Sequence, residues 1–231
     1  VPNNLAGQQF TIGVTANDAH LNSLPATFTL SVGTLLQAAS LANETATQDT
    51  AFTFTVPAFT GGSGTLSYGV SGGPAWLHFD PITRTFTGTP GNSDVTLDGT
   101  GTPWSIPVTV TATDQADAGI KGSFNLTVQN VNDAPALTHS SIDSQTATQG
   151  KVFQLVLPIT DPDIRFGDRL TYVATLSNGN ALPTWLTLDP NTGTLFEMPG
   201  RADQASLDIK VTATDHPPSV AESKIFTTTF H

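Results

Sequence analysis

An all-β chain of tandem sandwich domains is what this sequence specifies, on three observations. Apolar and polar residues alternate with period two in short runs, and no stretch carries helical spacing. Gly, Pro, Asn and Asp, the turn formers, separate those runs. Blocks of sequence also recur about a hundred residues apart, the mark of a chain built from repeated units.

The first element is a hairpin. The alternating run from Phe10 to Asp18 is followed, after a short polar turn, by a second run from Phe28 to Val32. The same pair returns as Ile106 to Asp114 with Phe124 to Val128, and again as Leu207 to Asp215 with Ile225 to Phe230. These pairs read as the last two strands of three successive units.

The preceding parts of the unit occur twice. Thr45-Ala-Thr-Gln48 matches Thr146-Ala-Thr-Gln149, and each leads into a strand beginning at Phe52 or Phe153. Leu66-Ser-Tyr68 matches Leu170-Thr-Tyr172. Pro74-Ala-Trp-Leu-His-Phe-Asp-Pro81 matches Pro183-Thr-Trp-Leu-Thr-Leu-Asp-Pro190. Residues 37–131 and 132–231 are therefore read as complete units, and 1–36 as the C-terminal hairpin of a partial or permuted one. Trp76 and Trp185 are expected to plug the two cores. An isolated pair of strands is marginal in water, so the hairpin is expected to pack on a neighbour, pair with another chain or stay loosely ordered.

Composition narrows the function. With 13 Phe, 3 Trp and 2 Tyr among 231 residues there is material for real cores. Acidic residues outnumber basic ones 19 to 8, which argues against nucleic acid as a partner, because phosphate binding needs clustered Lys and Arg. Cysteine is absent, removing disulfides, zinc-thiolate sites and thiol catalysis together. No apolar run is long enough to insert into a membrane as a helix. A first residue of Val rather than Met suggests a processed product or an excised fragment.

Enzymatic chemistry finds little support. The five histidines (His20, His78, His139, His216, His231) are scattered, without metal-ligand spacing, and no Gly-x-Ser-x-Gly elbow activates a serine. The acids cluster instead. Gln129-Asn130-Val131-Asn132-Asp133-Ala134-Pro135 reads as an interdomain linker, and Asp161-Pro162-Asp163 with Gly167-Asp168 as a carboxylate-rich loop beyond it. Hard cations such as Ca2+ take six to eight oxygen ligands from such groups. Asn130, Asn132, Asp133, Asp161, Asp163 and Asp168 are thus candidate calcium ligands at a domain junction.

The Pro-x-Trp-Leu-x-Phe/Leu-Asp-Pro blocks, the Val-Thr-Ala-Thr-Asp strands and the Asn-Val-Asn-Asp-Ala-Pro linker resemble the dystroglycan-type cadherin-like domains of bacterial secreted adhesins and agglutinins. The linker is similar to the calcium-binding Asp-x-Asn-Asp linker of cadherins, with Asn130 in place of the first Asp. That resemblance implies an Ig-like Greek-key sandwich and adds two ligands, Glu44 and Asp215, to the set. It also implies an extracellular, calcium-dependent, lectin-like protein that binds an acidic exopolysaccharide or other surface glycan. A calcium-stiffened spacer within a larger adhesin is the second reading, and homophilic association through the N-terminal hairpin the third. For glycan contact the candidates are Trp104, Arg165, Arg169 and Arg201, although Trp104 reads better as a satellite core residue covering a sheet edge. The first complete unit has Gly61-Gly-Ser-Gly64 where the second has its acidic loop, so the junction before it is expected to bind no metal.

Overall fold

The computed structural model describes residues 5–18, 23–97, 102–203, 205–218 and 221–231. His20 and part of the loop from Gly91 to Ser105 lie outside them. The chain divides into two compact units, Val1–Asn130 and Val131–His231, and each is described by itself.

The first unit opens with the hairpin, β1 (Gln9–Asn17) and β2 (Ser23–Ser31), paired antiparallel from Gln9↔Ser31 to Asn17↔Ser23. Its apolar side chains are largely uncovered, with Val14, Phe28 and Leu30 each at least half exposed. After β3 (Thr34–Gln37) and β4 (Glu44–Thr47) come β5 (Phe52–Thr55), β6 (Thr60–Gly62), β7 (Ser67–Gly72), β8 (His78–Asp80) and β9 (Thr85–Gly88). The long strands β10 (Ile106–Thr113) and β11 (Gly119–Gln129) close the unit. One sheet has the order β4-β11-β10-β7, another β5-β9-β8, and β3 pairs with β6.

Alternation explains the core. Val108, Val110 and Ala112 of β10 and Phe124, Leu126 and Val128 of β11 all point inward and are buried. They meet Phe86 of β9, whose ring lies 4.6 Å from that of Phe79 and 5.5 Å from that of Phe124. Trp76 packs edge-on against Phe52 at 6.1 Å, as a core plug should. One pairing departs from a purely antiparallel sandwich: β4 runs parallel to β11, from Glu44↔Leu126 to Thr47↔Gln129.

The second unit contains β12 (Ala136–Leu137), β13 (Phe153–Val156), β14 (Ile159–Thr160), β15 (Arg169–Leu176), β16 (Thr187–Asp189), β17 (Thr194–Glu197), β18 (Ile209–His216) and β19 (Ile225–Phe230). Its sheets are β15-β18-β19 and β13-β17-β16, with β12 paired to β14. Leu195, Val211 and Ala213 are fully buried at its centre, and Trp185 and Phe153 pack against them.

The repeated Asp-Pro blocks prove to be turn devices. Asp80 accepts the Ile82 amide and the Thr83 hydroxyl, both at 2.8 Å, and so closes the β8–β9 hairpin. Asp189 accepts the Asn191 amide at 2.9 Å in the corresponding β16–β17 turn. There Gly193, at φ +64°, lies so close to the Tyr172 ring that a Cβ would stand 2.8 Å from it.

Trp104 is not a core residue. It is 55% exposed, in a loop tied by the Trp104 amide to the Thr96 carbonyl and by a bridge between Leu97 and Pro103.

Candidate metal centre

The acidic loop of the second unit folds into a short 3-10 turn, Pro162–Phe166, and local chemistry dictates why. Asp161 caps it, accepting the Asp163 amide at 2.7 Å, and Pro162 fills the first position, where no amide is needed. Gly167, left-handed at φ 106°, ends the turn and delivers Asp168 to the start of β15. This path brings Asp161, Asp163 and Asp168 together, with one carboxylate oxygen from each lying within 4.8 Å of the others.

All three are buried, at 4%, 0% and 7% exposure, and Asp215 at the end of β18 is buried completely. Asp163 Oδ2 accepts the Asp133 amide at 2.5 Å, tying the linker to the loop. Asn132 donates through Nδ2 to Asp215 Oδ2 at 3.0 Å and to the Glu222 carbonyl at 2.9 Å. Asp215 Oδ1 accepts the Lys224 amide. Of the eight predicted ligands the structure therefore gathers six in the second unit: Asn132, Asp133, Asp161, Asp163, Asp168 and Asp215. Glu44 is the first residue of β4 and Asn130 follows β11, both in the first unit.

The electrostatics are those of a site short of positive charge. Burial pushes the Asp168 carboxyl up to about 6, and the charges of Asp163, Asp161 and Asp215 add to the effect. Asp161 is raised too, first by burial and then by Asp163, Asp215 and Asp133, against the amide of Asp163, which lowers it. Two unit charges 4.8 Å apart repel by about 3.5 kcal/mol at an effective dielectric constant of about 20. Asp161 Oδ2, Asp168 Oδ2 and Asn132 Oδ1 are buried with no hydrogen-bond partner among the described residues. An orphaned buried acceptor costs about 1–3 kcal/mol, and more when charged.

The first unit supplies an internal control. Asp114 ends the same Val-Thr-Ala-Thr-Asp strand as Asp215, and Gly62 follows Phe52 at the interval by which Asp163 follows Phe153. Asp114 Oδ1 accepts the Ala116 and Ala118 amides, each at 2.9 Å, and its Oδ2 accepts the Ser63 amide at 2.8 Å. Those amides hold its carboxyl below the usual range. A Cβ on Gly62, at φ +76°, would stand 3.0 Å from Asp114, so any side chain there would be strained and would push on that carboxylate. The first unit answers its strand-end aspartate with three backbone amides; the second gives Asp215 one amide, that of Lys224, and the Asn132 Nδ2, and sets further acids near it.

The donor set of the second unit fits a hard cation. Its ligand atoms are carboxylate oxygens, the donors that hard cations such as Ca2+ take, whereas zinc favours nitrogen and sulfur.

With fold and site in place, the chain can be set beside known proteins. The family model described as "Putative Ig domain" (He_PIG) matches residues 34–129 and 134–231. The chain belongs to this family. Among curated proteins no sequence match is found. Among solved structures, human mucin-like protocadherin EC1-2 matches at 15% identity and a TM-score of 0.50, over 85% of this chain and 96% of that one. Human CDH23 EC21-23 matches at 15% identity and TM-score 0.48, over 96% and 74%. An endo-fucoidan hydrolase of glycoside hydrolase family 107 matches at 16% identity and TM-score 0.35, over 97% of this chain but 34% of that one. At such identities the protocadherin match speaks to the fold: a cadherin-like, Ig-like all-β architecture, as the repeats implied. No helix among the described residues is long and apolar enough to cross a membrane.

One constellation escaped the sequence reading. Ser206 Oγ meets His231 Nε2 at 2.8 Å, and His231 Nδ1 meets Asp208 Oδ1 at 2.9 Å. The order is that of a hydrolytic triad, but His231 and Asp208 are 52% and 62% exposed. Water screens a carboxylate so placed, so it stabilises an imidazolium weakly. Nothing in the spacing of these three residues announces the contact.

Proposed function

We propose that this He_PIG-family chain is an extracellular, calcium-dependent adhesion protein whose second unit binds Ca2+. The observation that carries the reading is the set of buried carboxylates with orphaned oxygens at Asp161 and Asp168, beside a first unit whose equivalent aspartate is satisfied by amides. Asp161, Asp163 and Asp168 form the heart of the ligand set, with Asn132, Asp133 and Asp215 around them. Glu44 and Asn130 belong to the proposed set as contributions from the first unit and are tested by separate variants. A bound divalent ion would neutralise carboxylates that repel one another and satisfy oxygens that have no donor.

By its likeness to dystroglycan-type adhesins and agglutinins, the partner is an acidic exopolysaccharide or another surface glycan. Residues 1–36 are proposed as the last hairpin of a partial unit, ahead of units 37–131 and 132–231. The uncovered side chains Val14, Phe28 and Leu30 favour a second role for that hairpin, homophilic association. A chain that stiffens with calcium and binds no glycan would be a spacer.

The test is calcium titration by calorimetry on the intact chain and on an Asp161→Ala/Asp163→Ala variant, with melting curves for both. Saturable binding and a raised melting temperature, both abolished in the variant, are expected. Absence of heat and of any change in melting removes the calcium reading. Retention on an acidic polysaccharide column with calcium, and release by chelator, then separates a lectin from a spacer.

A further inference from the structure

Asp114, just past the end of β10, borders a cavity of about 590 Å³ in the first unit. Its walls include Leu35 and Leu36 of β3, Gly62 of β6, and Ala118 and Ile120 where β11 begins. Asp114 is the only charged residue in that lining, and no Lys, Arg or His stands opposite it. Lys121, the next residue after Ile120, lies on the other face of β11 by alternation. Asp114 forms no ion pair among the described residues. A carboxylate only 7% exposed is thus held ionised by amides, beside an apolar hollow, with no cation to balance it.

The carboxylate also keeps room for one more donor. Each of its oxygens offers about two acceptor positions. Oδ1 accepts from Ala116 and Ala118, and Oδ2 from Ser63 alone among the described residues. Gly62 keeps the approach to Oδ2 clear. A Cβ there would stand 3.0 Å from Oδ2 and 3.3 Å from Leu36 Cδ1, and without it the gap between those two lining residues stays open.

We infer that this cavity binds a primary alkylammonium group, its nitrogen donating to Asp114 Oδ2 and its apolar stem lying against Leu36 and Ile120. The lining selects that chemistry. A divalent cation takes six to eight oxygens, and a single carboxylate among apolar walls does not supply them. An anion meets a fixed negative charge, and a neutral apolar molecule leaves that charge unanswered. A quaternary ammonium has no N–H for Oδ2. The chain's net charge of -11 also draws organic cations toward it.

The test compares n-butylammonium with n-butanol, a neutral probe of the same length, on the intact chain. Methyl signals of Leu36, Ala118 and Ile120 are followed by NMR. Butylammonium should shift them saturably, with a dissociation constant on the order of millimolar, and butanol should bind at least about tenfold more weakly. Both titrations are run in chelator and in calcium and should agree, because no proposed calcium ligand lines the cavity. A chain that binds no calcium can therefore still pass. Equal affinity for the two probes overturns the inference, leaving a merely apolar hollow. So does the absence of any saturable shift up to about 100 mM butylammonium. Shifts confined to Asp161, Asp163 and Asp168, and erased by calcium, assign the amine to the acidic loop and overturn it as well. Asp114→Asn should abolish the response to butylammonium; if that variant does not fold, the two probes on the parent chain decide alone. A capped Gly-Lys-Gly peptide then identifies the source: a response at the same methyls extends the site to lysine side chains, and silence restricts it to free amines.

Discussion

Replacing Asp168 with Asn should stabilise the second unit without calcium and remove most of the further gain that calcium brings. Asp168→Asn keeps the side-chain shape and removes one charge from the cluster. The carboxyl stands at about 6 in the folded chain against 3.8 ordinarily, so the folded state holds its proton more tightly than the unfolded one. Well below pH 3.8 both states are protonated and the group contributes nothing. As pH rises the unfolded chain ionises first, and the penalty grows until it saturates above about pH 6. At about 1.4 kcal/mol per tenfold in proton affinity the penalty is at most about 3 kcal/mol, and water entering a strained site brings it to about 1–3. In a unit of this size each kcal/mol moves the midpoint by about 4–8 °C, so a rise of about 4–24 °C is expected at pH 7 in chelator. Scanning calorimetry of both proteins, with EDTA and then with calcium, measures it. Calcium at a hundred times its dissociation constant adds about 2.7 kcal/mol to a competent site, and the variant, lacking a ligand charge, should lose most of that. The gain in chelator should also fade as pH falls from 6 and vanish well below pH 3.8. A variant that melts with or below the parent in EDTA at pH 7 would refute the claim that these carboxylates oppose one another.

Three further outcomes bear on the rest of the molecule. Phe86→Ala empties the centre of the first core, where the ring is fully buried among Phe54, Phe79 and Phe124, and should cost about 3–5 kcal/mol by chemical denaturation, in the first unit alone. Asp114→Ala strands the amides of Ser63, Ala116 and Ala118; it should lower the first unit's melting temperature equally with calcium and with chelator. Because the Asp114 carboxyl is depressed, its contribution is full above the ordinary carboxylate range and fades as pH falls, so parent and variant should converge in acid. Deleting residues 1–33 should abolish any concentration-dependent rise in mass seen by sedimentation; a dimer that survives the deletion would exclude the hairpin as the contact.

What the sequence made legible follows from range. Alternation is local, so the strands, the paired units and the inward faces of β10 and β18 could be read directly. The Asp-Pro blocks carried their turns within four residues, and Asp161-Pro162-Asp163 likewise contained its own cap. Where the outcome depended on what stands opposite, the sequence was silent. β4 is four residues of mixed polarity, and no pattern within it states that its partner runs parallel. Trp104 has a core residue's side chain, yet it stands 55% exposed, and nothing local to it in the sequence says so.

The two strand-end aspartates make the point most sharply. Asp114 and Asp215 close the same five-residue motif and are both buried, yet one accepts three loop amides and the other sits among acids. The difference was written about fifty residues upstream, in Gly61-Gly62-Ser63 against Pro162-Asp163. Glycines with φ near +80° let the loop turn its amides inward, and a Cβ at Gly61 would stand 2.0 Å from the Leu35 carbonyl oxygen. A proline and an aspartate at the corresponding positions turn a carboxylate inward instead. Grafting the glycine loop into the second unit should therefore replace the acids near Asp215 by amides and remove any stabilisation that calcium brings. Acids alone, introduced at Gly61 or Gly62, should unfold the first unit's loop rather than create a second site.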